Sequence, residues 1–303
     1  MPMLTLESDT IDDTLPDLGI PAEKTPWQLA MARFSHNKIA IAGLVVVILL
    51  VLSAIFAQYI TTYDPIKRDV KNRLQFPSAE HWLGTDALGR DVYTRIMYGG
   101  RVSMWIGLAS VFLSMLFGIP LGLISGYSGG AIDTVIMRIM DLILAFPGII
   151  FAIWLVSMLG PGVNQVIVAI AFWNLPEYSR VIRASVMAIK EVDYIQAARA
   201  LGANYWRIIF GHMFPNVIAP IIIISSLSIS GAILSGATLS FLGLGAQPPT
   251  PEWGAMLSDG RPYMRTAWWL AVFPGVLLTI VVLATNLFGD GLRDALDPRA
   301  STS

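Results

Sequence analysis

The sequence predicts an all-α integral membrane protein with six transmembrane helices. Three observations carry that prediction. Of the 303 residues, 55% are hydrophobic and only 14% are charged, against about 25% charged in soluble domains. The mean hydropathy is +0.64. The uncharged residues also gather into runs long enough to cross a bilayer, which takes about 20 mostly apolar residues per helix.

Residues 1–38 begin with MPMLTLESDTIDDTLPDLGIPAEK, an acidic stretch without the basic start and apolar core of a signal peptide. A flexible cytoplasmic tail followed by an amphipathic segment is expected there. Residues 39–60 carry no charge and form the first span, retained as an anchor. Residues 61–101 mix seven basic with five acidic residues and read as a small folded extracytoplasmic insert. Residues 102–289 hold the other five spans. The second falls within the 31 uncharged residues between Arg101 and Asp133. The uncharged run from Leu142 to Pro176 is interrupted by GPGVNQ, Gly160 to Gln165, which divides a third span near Val135–Leu159 from a fourth near Gln165–Val181. Met213 to about Gly245 supplies the fifth and Thr266 to Gly289 the sixth, leaving residues 290–303 as a cytoplasmic tail.

Orientation follows from basic residues close to helix ends, which favour the cytoplasm. With the N-terminus inside, 11 of the 20 basic residues are cytoplasmic, and seven of the other nine sit in the acid-balanced insert. The short, acid-poor loop after the fourth span also favours the inside. Both termini are therefore expected in the cytoplasm.

The net charge of −1 gives no reason to expect a nucleic acid partner. The chain has no cysteine, which excludes disulfides and thiolate metal sites of its own. His36, His81 and His212 lie far apart without ligand spacing, so no metal site is expected. Gly118, Gly122 and Gly126 recur every four residues in the second span. Such a stripe lets two helix backbones approach closely in lipid, although glycine is also common in membrane helices generally. Arg138 and Asp141, three apart at the start of the third span, read as a structural ion pair near the interface. The interiors of the later spans hold Asn174, Glu177 and Asn286 but no string of carboxylates, which argues against a proton-coupled carrier. Pro176, Pro215 and Pro220 mark kinks or helix starts.

The segment QAARALGANYWRIIFGHMFP, Gln196 to Pro215, is polar and lies between long apolar runs. Lys190 to Ala200 favours a helix, with Ile195, Ala198 and Leu201 to one side. Gly202 can end it in the left-handed conformation, and Asn204 can cap a second helix that returns toward the membrane through Trp206, Ile209 and Phe210. By itself this could be a connecting loop or a docking knob.

At these residues the sequence resembles the permease subunits of bacterial ABC importers. Their cytoplasmic signature runs Glu-Ala-Ala, three residues, Gly, then hydrophobic-X-hydrophobic-Pro, and Gln196, Ala197, Ala198, Gly202, Phe214 and Pro215 occupy matching positions. Gln196 departs from the acid and His212 from the usual aliphatic residue. HWLGTDALGRDVYTRIMYGGRVS (His81–Ser103), SFLGLGAQPPTPEWGAML (Ser240–Leu257) and NLFGDGLRDALDP (Asn286–Pro298) are similar to the dipeptide/oligopeptide/nickel branch, in particular its C-type permease.

The resemblance implies a type I ABC importer permease fold with a cytoplasmic coupling helix, in the bacterial inner membrane. It implies a homologous second permease, two ABC ATPases and an extracytoplasmic substrate-binding protein as partners, with ATP and Mg²⁺ used by the ATPases and no cofactor bound by this chain. Coupling to the ATPases is expected at Asp193, Tyr194, Gln196, Ala197, Ala198, Arg199, Gly202 and Pro215, within a coupling loop at residues 190–212. The insert and the loop at residues 248–257 are expected to face the binding protein through Trp82, Asp86, Arg90, Asp91, Glu252 and Trp253. Interfacial anchoring by the tryptophans is the alternative. Within the branch, di- or oligopeptides are the expected cargo, with nickel chelates and glutathione-like molecules as the alternatives. The chain contains no GxxxxGK[ST] phosphate loop, consistent with a transport subunit that is not itself an enzyme. A secondary carrier would call for intramembrane ionisable groups or repeat-related broken helices, and a membrane-embedded enzyme for converging acid, base or metal groups. Neither pattern is present in the sequence.

Overall fold

The computed structural model describes residues 26–296. The expectations for the acidic tail before Pro26 and for the end of the chain after Leu296, Ser303 included, lie outside the described residues. Within them the fold is helical, and the single β feature is an isolated antiparallel bridge between Thr85 and Asp91.

Helix α1, Pro26–His36, lies in the stretch expected to be amphipathic, and its Phe34 ring meets Phe288 edge-on at 6.0 Å. Asn37 separates it from α2, Lys38–Ile55, and caps α2 by accepting from the Ala40 amide at 3.1 Å. A one-residue break at Phe56 precedes the short α3, Ala57–Ile60. After the insert, Asp91 caps the 37-residue α4, Val92–Ser128, by accepting from the Thr94 amide at 2.8 Å. Gly129, with φ +64°, ends it.

The third predicted span is not one straight helix. It divides into α5, Gly130–Leu144, and α6, Gly148–Leu159, bent by 90° at the break. The local cause is Pro147 followed by Gly148. Proline disfavours helical backbone in the residue before it, and the Trp173 indole fills the space a Cβ on Gly148 would need, 1.8 Å from that position. Helix α7, Val163–Ile189, returns along α4. Then follow α8, Asp193–Ala200, α9, Tyr205–Ile208, a π-helical turn at Ile209–Met213, and α10, Phe214–Phe241. Helix α11, Trp253–Gly260, and α12, Trp269–Leu296, complete the described chain.

Among the described residues four helical stretches are long and apolar enough to cross a membrane: α2, α4, α9 through α10, and α12. The α5–α6 pair makes a fifth if the bent pair is one span. The fourth predicted span lies inside α7, whose 27 residues reach about 40 Å at ~1.5 Å each. Its second half carries Glu177, Arg180 and Arg183, so it is less apolar than the others.

The glycine stripe performs as the sequence suggests. A Cβ on Gly118, Gly122 or Gly126 would lie 2.6, 2.7 or 2.8 Å from the Cβ of Tyr178, Ile182 or Val186 respectively. Glycine at all three positions lets α4 and α7 pack backbone to backbone. The predicted Arg138–Asp141 pair is present, but it is the longer of two contacts to Asp141. That contact is 3.9 Å and exposed, whereas Arg180 donates to Asp141 at 2.6 Å from α7. A second bridge, Arg183 to Asp133 through two bonds of 2.6 Å, ties the same helices. The bidentate geometry of the Arg183–Asp133 pair gives it direction as well as charge.

The bundle has two distinct ends. At one, Arg101 donates to the Ala54 carbonyl and Trp269 to the Thr85 carbonyl, gathering the insert and the ends of α2, α4 and α12. At the other, Ser128 bonds Tyr205 at 2.7 Å, bringing the end of α4 to α9. The start of α2 meets the end of α12 at that second end, where Ala40 closes on Gly291. Both described chain ends therefore lie at the same end of the bundle as α8.

Candidate functional site

At the α8 end, local sequence dictates the turn. Gly202 has φ +80°, its amide donates to the Arg199 carbonyl at 3.0 Å, and the Ala203 amide donates to Ala198 at 3.1 Å. That double closure is a Schellman cap, which requires a left-handed residue at Gly202. Asn204 then caps α9, accepting from the Arg207 amide at 2.8 Å. The helix, turn and second helix read from the sequence are all present.

Below the turn, Ile195, Ile208, Ile209, Met213 and Val217 are buried in one apolar cluster with Leu123, Ile182 and Val186. The segment is thus anchored to α4 and α7 through one face. Arg199 lies over the Tyr127 ring at 5.6 Å, and Tyr127 stacks obliquely on Tyr205 at 4.9 Å. Gln196 donates to the Glu191 carbonyl at 3.0 Å, a local bond where the family signature has an acid.

The opposite face is open. Asp193, Tyr194, Gln196, Ala197, Arg199 and Gly202 are exposed, and Ala198 is half-buried. Pro215 is exposed but stands on α10, beyond the π turn. There the Phe214 amide bonds back to Ile209, so the turn absorbs the missing proline donor and the helix continues rather than starting afresh. Leu201, set by the sequence on the same side as Ile195, is instead 88% exposed, and sequence reasoning did not mark the stacked pair of Trp206 and Phe210, with ring centroids 5.8 Å apart, as part of the open face. The signal was the i, i+4 spacing of two aromatics on the face away from Ile208 and Ile209.

The insert end is built the other way round. Arg90, Asp91, Glu252 and Trp253 are buried, at 6, 4, 0 and 2% exposure. Asp91 meets His81 at 2.9 Å while capping α4. Asp86 takes Arg90 at 2.6 Å and Arg95 at 3.5 Å, and Arg95 also donates to the carbonyls of Pro65 and Pro249. Glu252 accepts from the Ser103 hydroxyl at 2.7 Å and caps α11 through the Ala255 amide at 2.8 Å. Trp253 donates to the Ile96 carbonyl at 2.9 Å and packs over Gly99 and Gly100. Buried charges require paired, hydrogen-bonded partners, and these have them. The expectation that Arg90, Asp91, Glu252 and Trp253 present side chains to a partner is therefore corrected: in this chain they are internal posts that fix the insert to α4 and α11. Asp86 is also largely enclosed by its two arginines. Trp82, 64% exposed beside Tyr93 at 5.1 Å, is the one of the six that is open to a partner.

Comparison with known proteins places these two ends in context. The family described as binding-protein-dependent transport system inner membrane component matches residues 118–302. The N-terminal TM domain of oligopeptide transport permease C matches residues 25–77. The chain is 48% identical over 275 residues to the dipeptide transport system permease protein DppC of Alkalihalophilus pseudofirmus, covering 91% of this chain and 90% of that one. It is 45% identical over 287 residues to the glutathione transport system permease protein GsiD of Pectobacterium atrosepticum, covering 94% and 95%. Among solved structures, an inward-facing MetNI methionine ABC transporter aligns with TM-score 0.54 at 18% identity, over 67% of this chain and 96% of that chain. That likeness concerns the fold.

Proposed function

The chain belongs to the family of binding-protein-dependent transport system inner membrane components, and from that premise we propose that it forms half of the translocation path of an ATP-driven importer of di- or oligopeptides. It is a transport component rather than an enzyme, and ATP with Mg²⁺ is consumed by partner ATPases. The second half of the path is a homologous permease, two ATPases dock at the α8 end, and a substrate-binding protein docks at the insert end. Six crossings, with α7 as the fourth and the bent α5–α6 pair as the third, put both termini and α8 in the cytoplasm. The shared position of the described chain ends and α8 supports that orientation.

One observation carries the coupling assignment. The segment is fastened by a buried apolar face to α4 and α7 while its other face, with Leu201, Trp206 and Phe210, is left uncovered. A rigid element held this way transmits a partner's movement to the membrane helices as a rigid-body shift. The cargo reading rests on the peptide permeases among the relatives, with a glutathione-like peptide as the second reading, favoured by the 45% identity to GsiD.

The test is reconstitution. Proteoliposomes holding this chain and its sister permease are expected to take up no dipeptide, and to gain ATP-dependent uptake when the ATPases and the binding protein are added. Uptake by the permeases alone, driven by an ion gradient, would show a secondary carrier instead.

A further inference from the structure

The insert end forms an open cavity of about 530 Å³ between the insert, the end of α10 and α11. That size is within the ~300–1,000 Å³ of small-ligand sites. Its wall carries both signs of charge. Arg90 and Arg95 come from the insert side, and Asp259 comes from α11 opposite.

Arg95 is bonded within the fold, to Asp86 and the Pro65 and Pro249 carbonyls, but Arg90 and Asp259 are not used up by it. Arg90 spends its Nε on Asp86, and among the described residues its two terminal nitrogens have no hydrogen-bond partner. Asp259 makes neither a hydrogen bond nor an ion pair with any described residue, although it lies within electrostatic reach of Arg95 and Arg90. It stays exposed at the cavity, and surrounding protein pushes its carboxyl above the ordinary range against the pull of those two arginines. Ser240, 2% exposed in the same wall, has a hydroxyl without a partner. Unpartnered buried polar groups are rare in folded proteins. A guanidinium with free donors, an unpaired carboxylate and an unsatisfied hydroxyl around one space form a polar site with no occupant from the fold.

We propose that this cavity is a receiving site for a small zwitterion, with its ammonium group at Asp259 and its carboxylate toward Arg90. The inference rests on the peptide reading above and deepens it. A free dipeptide carries the two charges at opposite ends, so the permease would hold it at the outer mouth of the path after release from the binding protein. Such a site selects unblocked termini.

The experiment uses the complete importer of two permeases and two ATPases in lipid nanodiscs, without binding protein, and measures binding of dialanine and of N-acetyl-dialanine by equilibrium dialysis. Dialanine is expected to bind, and the acetylated probe at least ~10-fold more weakly, since a charge-assisted contact is lost. Asp259→Asn is expected to weaken dialanine by the same factor and to erase the difference between the probes. Asp259 has no partner in the fold, so the variant complex should assemble and melt like wild type. Dialanine bound equally well by Asp259→Asn, or not bound by the wild-type complex, overturns the proposal. Uptake of dialanine by the full system with its binding protein is measured in parallel. Failure of uptake counts against the peptide reading, whereas uptake without binding to the complex counts against this site alone.

Discussion

The insert end and the α8 end hold similar inventories of charged and aromatic residues and dispose of them in opposite ways. At the insert end Arg90, Asp91, Arg95, Glu252 and Trp253 turn inward, each bonded to a named group, and they lock irregular backbone onto α4 and α11. At the α8 end the inward positions are aliphatic, and Asp193, Tyr194, Arg199, Leu201, Trp206 and Phe210 remain on the surface. The difference teaches which residues can act on partners. A buried charge tied to a partner within the fold maintains shape. An exposed apolar side chain on an anchored element is available for contact, and hot spots of protein interfaces are enriched in such aromatics.

Substitutions separate the two designs. The largest effect is expected between the ends, at the seam that joins them. Gly122→Leu drives a side chain into Ser179 and Ile182, each 2.7 Å from the Cβ position, and such overpacking costs about 1–3 kcal/mol or more. The measurement is membrane abundance and melting temperature in detergent, and both should fall sharply. A Gly122→Leu protein with normal abundance would mean that α4 and α7 are not held in this register.

Next is Glu252→Ala. It removes the cap of α11 and the acceptor of the Ser103 hydroxyl proton, leaving that oxygen only the Trp253 amide, for an expected loss of about 2 kcal/mol. Melting should report that loss while the surviving folded protein still co-purifies with the ATPases. Impaired co-purification at unchanged stability would blur the division between the two ends.

Gly202→Val has the smallest effect on stability and the most specific one on function. No atom lies within 4 Å of the added Cβ, so the penalty is the left-handed backbone at φ +80° alone, about 1 kcal/mol or somewhat more. Abundance and pairing with the second permease should stay normal. ATPase co-purification and uptake should both drop. Full docking and full uptake would reduce the segment to a connecting loop.

Much of this contrast was legible in the sequence where the cause is local. Length and absence of charge located the apolar runs, the four-residue glycine spacing located the α4–α7 seam, and Gly202 with Asn204 specified the turn that the caps now show. What was not legible depends on residues distant in the chain. Asp141 keeps a 3.9 Å contact to Arg138, three residues away, but its 2.6 Å bond goes to Arg180, which α7 brings back beside it. The bend between α5 and α6 is packed by Trp173 from the following helix. The inward turn of Arg90 and Glu252 could not be read because the insert and the loop before α11 have no helical or strand period to mark a buried face. The cavity at Asp259 arises only once α11 lies against the insert.

The central claim is that the exposed face of the α8 segment meets the ATPases while the insert meets the binding protein. Because the chain has no native cysteine, Leu201→Cys and Trp82→Cys can each be cross-linked in the assembled importer, and the attached partner identified by mass. An ATPase adduct is expected from position 201 and a binding-protein adduct from position 82. An adduct from position 201 only with the sister permease or the binding protein would contradict it.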